Sequence, residues 1–316
     1  MSIQASVILC THNPRRDYLS ATLESLKLQS LARASWELLV IDNTSEPPLA
    51  PTLDLSWHPN ARVIREETLG LVHARRRGIH EAKGQLLVFV DDDNVLSPRY
   101  LIGAMTIAQM HPEIGAFGGQ ITPRFEVDPP AWTEKYWPFL AIRAFESDRW
   151  SNVHDDYLAL PCGAGMCVRA MVAQRWAELV KSDPIRAALG RSGQRLLSGE
   201  DSDLAWTACD MGLGVGVFTA LQMTHLIAAG RLHETYICRL VEGTSYSNLR
   251  LLSTRGPLVP LNFPRQWMSL AKAALGGRRS FRLALAAYRG RRDAHRDIAR
   301  DTASKASAMQ PIARPA

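Results

Sequence analysis

The stretch Leu86–Asn94, LLVFVDDDN, constrains the fold more than any other part of the chain. Five apolar residues run without alternation, behind Gly84 and rich in β-branched and aromatic types. Such a run fits a short strand buried on both faces, as in the interior of a parallel sheet. It stops abruptly in Asp91, Asp92 and Asp93. Three adjacent carboxylates repel one another and call for a cation or a set of donors. In open α/β sheets, ligands bind beyond the carboxyl ends of the strands. A hard divalent cation carrying a phosphate ligand satisfies both conditions. The plain alternative is a solvated acidic loop.

Other segments repeat the pattern. ASVILC (5–10) reads as a buried first strand ended by Thr11, and Pro14 suits the first turn of a helix over 15–29. WELLVI (36–41) is a second buried strand, ending in Asp42-Asn43-Thr44-Ser45. A short strand near 62–65 and a helix over 71–82 follow, the helix carrying Arg75, Arg76 and Arg77. Beyond the acidic tip come a helix over 98–110 and a glycine-rich strand over 114–121. This alternation predicts a layered α/β sheet. Neighbouring parallel strands would gather Thr11, Asp42 and Asp91 to Asp93 at one sheet edge.

After Thr122 the pattern changes. Residues 123–150 hold four prolines and three tryptophans without clean periodicity, which marks a functional or disordered loop. Trp132 and Trp137 are candidates for an acceptor platform, or else anchors of the loop. PCGAGMCVR (161–169) carries Gly163 and Gly165 before a short strand. SGEDSD (198–203) opens a helix to about 211, where plain capping by carboxylates is the simplest reading. A strand over 214–219 follows, His225 lies just beyond it, and 232–241 reads as a helix.

Hydrophobic content of 46% and charged content of 22% are ordinary for a globular protein. No apolar run approaches the roughly 18 residues of a membrane span. The first residues lack the basic start and long apolar stretch of a signal peptide. The five cysteines form no CxxC pair, so neither a disulfide framework nor a zinc site is indicated, and a reducing cytoplasm is the expected location.

Taken together, VILCTHN, VIDNTS, GLVHARRRG, FVDDDN, PCGAGMCVR, SGEDSDLAW and MTHLI resemble, in order, the motifs of family 2 glycosyltransferases. The resemblance covers about residues 3–245. It implies a GT-A fold, with a mixed central α/β sheet flanked by helices. It also implies transfer of a sugar from a nucleotide diphosphate to an acceptor hydroxyl with inversion. Thr11 and Asp42 match positions lining the nucleotide base, where a carboxylate accepts from a uracil N–H and favours a UDP-sugar. Arg75 matches the arginine of an ARN motif, with Arg76 in place of the asparagine. Asp91 and Asp93 match the ends of the DxD motif that meets the ribose and holds Mn²⁺ or Mg²⁺. Asp201 matches the catalytic base, Glu200 stands beside it as an acceptor contact, and His225 matches a histidine that reaches the metal. The implied acceptor is a glycan, a lipid-linked molecule or a small molecule, in the building of surface polysaccharide or glycolipid.

Two other classes compete. A nucleotidyltransferase would carry a glycine-rich loop with a basic residue after the first strand, whereas THNPRR has no glycine. A non-catalytic membrane-surface protein of the same fold would not need the intact DDD and ED segments.

The expected organisation is a catalytic domain over 1–249, its halves meeting near 122, and a basic helical extension over 250–300. Residues 301–316, rich in Ala, Ser and Pro, are expected to be disordered. From Arg250 onward there are 14 Lys and Arg against 3 Asp, while the preceding part is mildly acidic. Residues 264–292 mix Arg and Lys with Trp267, Met268, Leu275, Phe281 and Tyr288. This suggests a helix pair on an anionic membrane surface, with a packed helical cap or dimer contact as the alternatives. Nucleic acid is not indicated, because no stacking motif accompanies the charge.

Overall fold

The computed structural model describes residues 2–154, 156–191, 196–256 and 263–308. The chain divides into two compact units, Met1–Gln194 with Glu200–Leu232, and Arg195–Gly199 with His233–Ala316.

The first unit is built on one sheet of nine strands among the described residues. They are β1 (Ala5–Thr11), β2 (Trp36–Asn43), β3 (Ala61–Glu66), β4 (Leu86–Asp91), β5 (Asn94–Leu96), β6 (Ile114–Phe125), β7 (Arg149–Ser151), β8 (Cys167–Arg169) and β9 (Gly214–Ile227). Strands β3, β2, β1 and β4 lie side by side and parallel. β8 joins β4 antiparallel, β6 joins β8 antiparallel, and β9 runs parallel to β6. β5 and β7 both pair antiparallel with β9. The sheet is therefore mixed, with a parallel half and an antiparallel half. The unbroken apolar runs fall where both faces are covered: every residue of β1 and of β2 is buried.

The helices of this unit are α1 (Arg16–Lys27), α2 (Leu71–Glu81), α3 (Tyr100–Met110), α4 (Ala170–Ser182), the single turn α5 (Pro184–Ala187) and α6 (Glu200–Asp210). Leu19 and Leu26 of α1 and Tyr100, Leu101 and Ala104 of α3 pack with Val7, Leu9, Val88 and Val90 in the main core. α2 approaches β1 so closely that a Cβ on Gly78 would stand 2.3 Å from Ile8 Cγ2. That approach lowers the neighbouring Arg75 into the protein, where it is 2% exposed.

The second unit contains α7 (Glu234–Ser253), α8 (Phe263–Leu275) and α9 (Arg278–Ala308). α7 and α9 run side by side in the same direction: Glu234 pairs with Arg279 and Arg282, Tyr246 with Asp297, and Arg250 with Asp301. α8 folds back on α9, with Trp267 against Tyr288 and Arg291 donating to Gln266.

Several expectations change. β9 continues through Ile227, so His225 lies inside a strand instead of after one. β6 runs on to Phe125, into the segment expected to be a loop, and Ala131–Leu140 of that segment form a 3₁₀ helix. The helix expected over 232–241 is twenty residues long, and α4 went unforeseen. The first unit ends at Leu232 instead of 249, because α7 packs on α9 in the second unit. Residues 301–308, expected to be disordered, continue α9.

Candidate active site

Strand register assembles the site. Thr11 lies opposite Asp42 in the β1–β2 ladder, and Cys10 lies opposite Asp91 in the β1–β4 ladder. The polar ends of the three parallel strands therefore form one row. Beyond that row the chain turns through Asp92 and Asp93 into β5, and the Asn94 side chain accepts from the Asp91 amide. Asn94 then pairs with His225 of β9, and the Leu226 amide donates to the Asp93 carbonyl. Two segments far apart in sequence meet here as a direct result of sheet pairing.

Asp93 is 5% exposed and sits in a cluster of three side chains. Its Oδ2 lies 2.8 Å from Arg231 Nη2 and 3.3 Å from His225 Nε2, while its Oδ1 accepts from Asn94 Nδ2. Burial acts to raise the Asp93 pKa, but the neighbouring His225 and Arg231 outweigh it and hold the carboxyl well below its usual range. Asp91 moves the other way: burial raises it, against the pull of Arg75. Asp92 is pushed up to about 7 by burial and by the charge of Asp93, and it accepts a short hydrogen bond from the Thr11 hydroxyl.

The aromatic segment has a clear part in this. Trp137 packs on Phe125 with ring centres 5.1 Å apart, and its indole N–H donates to Thr133. Trp132 stacks edge-on to Tyr136. Trp137 is thus an anchor of the 3₁₀ helix. The last residue of that helix, Leu140, accepts from His225 Nδ1 at 3.0 Å through its carbonyl. A backbone carbonyl on Nδ1 fixes the tautomer, leaving the Nε2 lone pair pointed at Asp93 and Arg231.

A second cluster lies around Arg75. Its Nη1 is 3.3 Å from Glu200 Oε1, both groups being buried, and its guanidinium lies 5.5 Å over the Phe89 ring. Asp201 follows Glu200 at the start of α6. Its Oδ2 accepts from the Gly163 amide at 2.9 Å and its Oδ1 from the Ser202 amide. Gly163 needs to be glycine, since a Cβ would stand 2.6 Å from Arg75 Nη2 and 2.9 Å from Asp201 Cβ. Asp203 is fully buried, held by Arg186 at 2.5 Å and by the Trp176 indole at 2.9 Å. Of the three carboxylates opening α6, only Asp201 is neither buried nor committed to a cationic side chain.

Two of the expected site residues have charged partners within the protein. Glu200, expected beside the acceptor, pairs with Arg75. Asp42 is 1% exposed and holds the turn after β2, accepting from the Ser45 and Leu49 amides and from Arg65. Arg231 was not singled out from the sequence. It follows His225 by six residues in a 3₁₀ turn, Ala229–Leu232, and no motif marks it.

Among the described residues, no three His, Cys, Asp or Glu side chains form a ready cage for a metal ion. Asp93 and His225 supply two converging donors. Mg²⁺ and similar hard cations are commonly held by one or two protein ligands completed by phosphate and water, so this set fits such an ion.

A family model described as glycosyl transferase family 2 matches residues 6–170, more than half of the chain. The chain belongs to this family. The family 2 glycosyltransferase is 29% identical over 110 residues to an uncharacterized glycosyltransferase of Haemophilus influenzae, covering 34% of this chain and 36% of that protein. It is 34% identical over 92 residues to a probable N-acetylgalactosaminyltransferase 6 of Caenorhabditis elegans, covering 27% of this chain and 15% of that one. The chain thus spans well under half the length of these curated relatives. Among solved structures, residues 1–349 of TarS from S. aureus superpose with a TM-score of 0.50 at 15% identity, covering 96% of this chain and 92% of that one. A structure of GalNAc-T7 with UDP, GalNAc and Mn²⁺ gives 0.51 at 16% identity, over 80% of this chain and 51% of that one. At these identities the likeness is one of fold, and it is the fold of GT-A glycosyltransferases.

Proposed function

We propose that this family 2 glycosyltransferase moves a sugar from a nucleotide diphosphate donor to an acceptor hydroxyl with inversion, in the assembly of a surface polysaccharide or glycolipid. The observation that carries the reading is the meeting of Asp93 and His225 at the carboxyl edge of the parallel strands, with Asp201 half-buried at the start of α6. Asp93 and His225, with Asp91 beside them, would hold Mn²⁺ or Mg²⁺. A cation bound there supplies positive charge to the departing diphosphate.

The remaining chemistry belongs to the chain's own residues. A hydroxyl acceptor is a poor nucleophile at neutral pH, so a carboxylate must take its proton as the new bond forms. Asp201 is the carboxylate of its helix that is placed to do so. The Gly163 and Ser202 amides each donate to its carboxylate and fix its orientation. Glu200 and Asp203 are paired with Arg75 and Arg186, which leaves Asp201 as the carboxylate of this helix start placed to serve as the single base that inversion requires. UDP-sugars are the first donors to test, since a protein of the same fold is described with UDP and Mn²⁺. Incubating the protein with a panel of nucleotide sugars, with and without Mn²⁺, tests the reading. Release of UDP from at least one donor, lost on chelation, is expected. No turnover of any nucleotide sugar would refute it.

For the second unit we propose an anionic bilayer as partner, which would place the protein on the inner face of a cell membrane. No helix among the described residues is long and apolar enough to cross a membrane. On α8, Trp267, Met268 and Leu275 are 63%, 65% and 92% exposed, and no acidic residue occurs from Leu251 to Arg292. Apolar side chains flanked by Lys272 and Arg278 match the chemistry of a charged lipid surface.

A further inference from the structure

We propose that Arg231 is a positioning residue that holds the cation site closed until donor arrives, and then turns its guanidinium to the donor's diphosphate. The inference rests on the reading of Asp93 and His225 as cation ligands.

The guanidinium occupies the two atoms a metal would need. Nη2 donates to Asp93 Oδ2 at 2.8 Å, and Nη1 donates to His225 Nε2 at 3.0 Å. The Leu140 carbonyl accepts a hydrogen bond from the Nδ1–H of His225, so Nε2 has a single lone pair. That lone pair serves either Arg231 or a metal ion, while Arg231 also crowds Asp93 Oδ2. Guanidinium and cation therefore exclude one another. An arginine cannot escape the conflict by losing its proton, so it must move.

The fold allows the side chain to move while its backbone stays. The turn Ala229–Leu232 is pinned at its first residue, where the Ala229 amide donates to Glu126 Oε2. Glu126 is held in turn by Arg15 at 2.9 Å. The Arg231 side chain is one-quarter exposed, compared with 7% for Asp93. A displaced guanidinium at this edge stands beside the place where a diphosphate would complete the cation's shell. Arginine meets phosphate oxygens bidentately, so the arriving donor supplies what the arriving cation takes away. Cation and nucleotide then bind cooperatively: each alone must break the Asp93–Arg231–His225 cluster, and together they replace its contacts.

The test is Mn²⁺ binding by the full chain, followed by the electron paramagnetic resonance of free Mn²⁺, with and without UDP. In the wild type, UDP should tighten Mn²⁺ by about tenfold or more, within the usual range of coupling between sites. In Arg231→Gln, Mn²⁺ should bind more tightly than in wild type when UDP is absent, and the coupling to UDP should shrink toward onefold. Arg231→Lys keeps the charge but not the fork, and should fall between them. Asp93→Asn serves as the control that should abolish binding throughout. If Mn²⁺ binds in an Asp93-dependent way but Arg231→Gln shows wild-type coupling or weaker Mn²⁺ binding without UDP, the inference is wrong and the cation reading stands. If the wild type binds no Mn²⁺ even with UDP present, both fall. The wild-type coupling is itself decisive, so a variant that fails to fold does not shelter the idea.

Discussion

Asp93 Oδ2 and His225 Nε2 stand 3.3 Å apart because Asn94 and His225 are partners in the antiparallel ladder between β5 and β9. One short strand of three residues thus converts an acidic strand tip into a mixed carboxylate–imidazole site.

Replacing Asp93 by alanine should abolish cation-dependent UDP binding while the sheet still folds. On the proposed reading the carboxylate is one of few protein ligands to the cation, and its loss leaves His225 facing Arg231 alone. Isothermal titration of UDP with and without Mn²⁺ checks this; an unchanged metal dependence would show that the cation lies elsewhere.

Asp201→Asn should leave donor affinity close to wild type and reduce turnover roughly 10²–10⁴-fold, the usual contribution of a general base. The amide is nearly isosteric and cannot take a proton. Equal losses in affinity and in turnover would make Asp201 a binding residue instead.

Glu200→Gln should act on stability first. It leaves the Arg75 guanidinium buried without its counter-charge, and breaking a buried pair in this way costs on the order of 3 kcal/mol. Urea unfolding of the variant measures it. A variant as stable as wild type would mean that Asp91 and Asp201 suffice to neutralise Arg75.

His58 gives the fold a dependence on acid. Its ring packs 4.1 Å from the Trp36 ring centre and its Nδ1 accepts from the Asn60 amide. Burial first, and then Arg33, pulls its pKa down to about 4 from an ordinary value near 6.5. The unfolded chain therefore takes up the proton before the folded one does. This contribution to stability is complete above about pH 6.5 and is lost as pH falls toward 4. Unfolding midpoints between pH 7 and 4 should show that loss in the wild type and a flatter profile in His58→Asn.

The α8 surface predicts sedimentation with vesicles of anionic lipid at low salt and release as salt rises. Each Lys or Arg near such a surface contributes on the order of 1 kcal/mol. The double variant Trp267→Ser, Leu275→Ser should stay in the supernatant. Wild-type protein that ignores these vesicles would leave α8 as a contact for another protein.

Much of this was legible in the sequence, and the parts that were not share a physical cause. β1, β2 and β4 announced themselves through unbroken apolar runs, because both faces of a parallel strand are covered. Their polar ends could be aligned from that alone. β5 could not be read: three residues, Asn94 to Leu96, carry no periodicity, and they are a strand only because β9 lies beside them. The same pairing hid the role of His225, which in LQMTHLI looks like any core residue. Arg231 was invisible for a further reason, since its partners are set wholly by tertiary geometry. Asp42 and Glu200 show the opposite case. Each carries a charge at a suggestive position, and each is paired with a neighbour, Arg65 or Arg75, that sequence spacing does not join to it. In the second unit the helices were readable from their spacing, but the end of α9 was not, because Ala and Ser are as common in helices as in disordered tails.

The span between Asp93 and Arg231, 138 positions along the chain, also bears on how the protein is made. A ribosome delivers the parallel half of the sheet first, with its acidic tip bare. The groups that answer that charge, His225 and Arg231, emerge only after β6, β8 and α6 have been synthesised. Long-range pairing of this kind is slow, since the loop must close before any contact rewards it. Until then three carboxylates face solvent on an otherwise apolar nascent sheet, where mutual repulsion discourages the exposed edge of β4 from pairing with a second nascent chain.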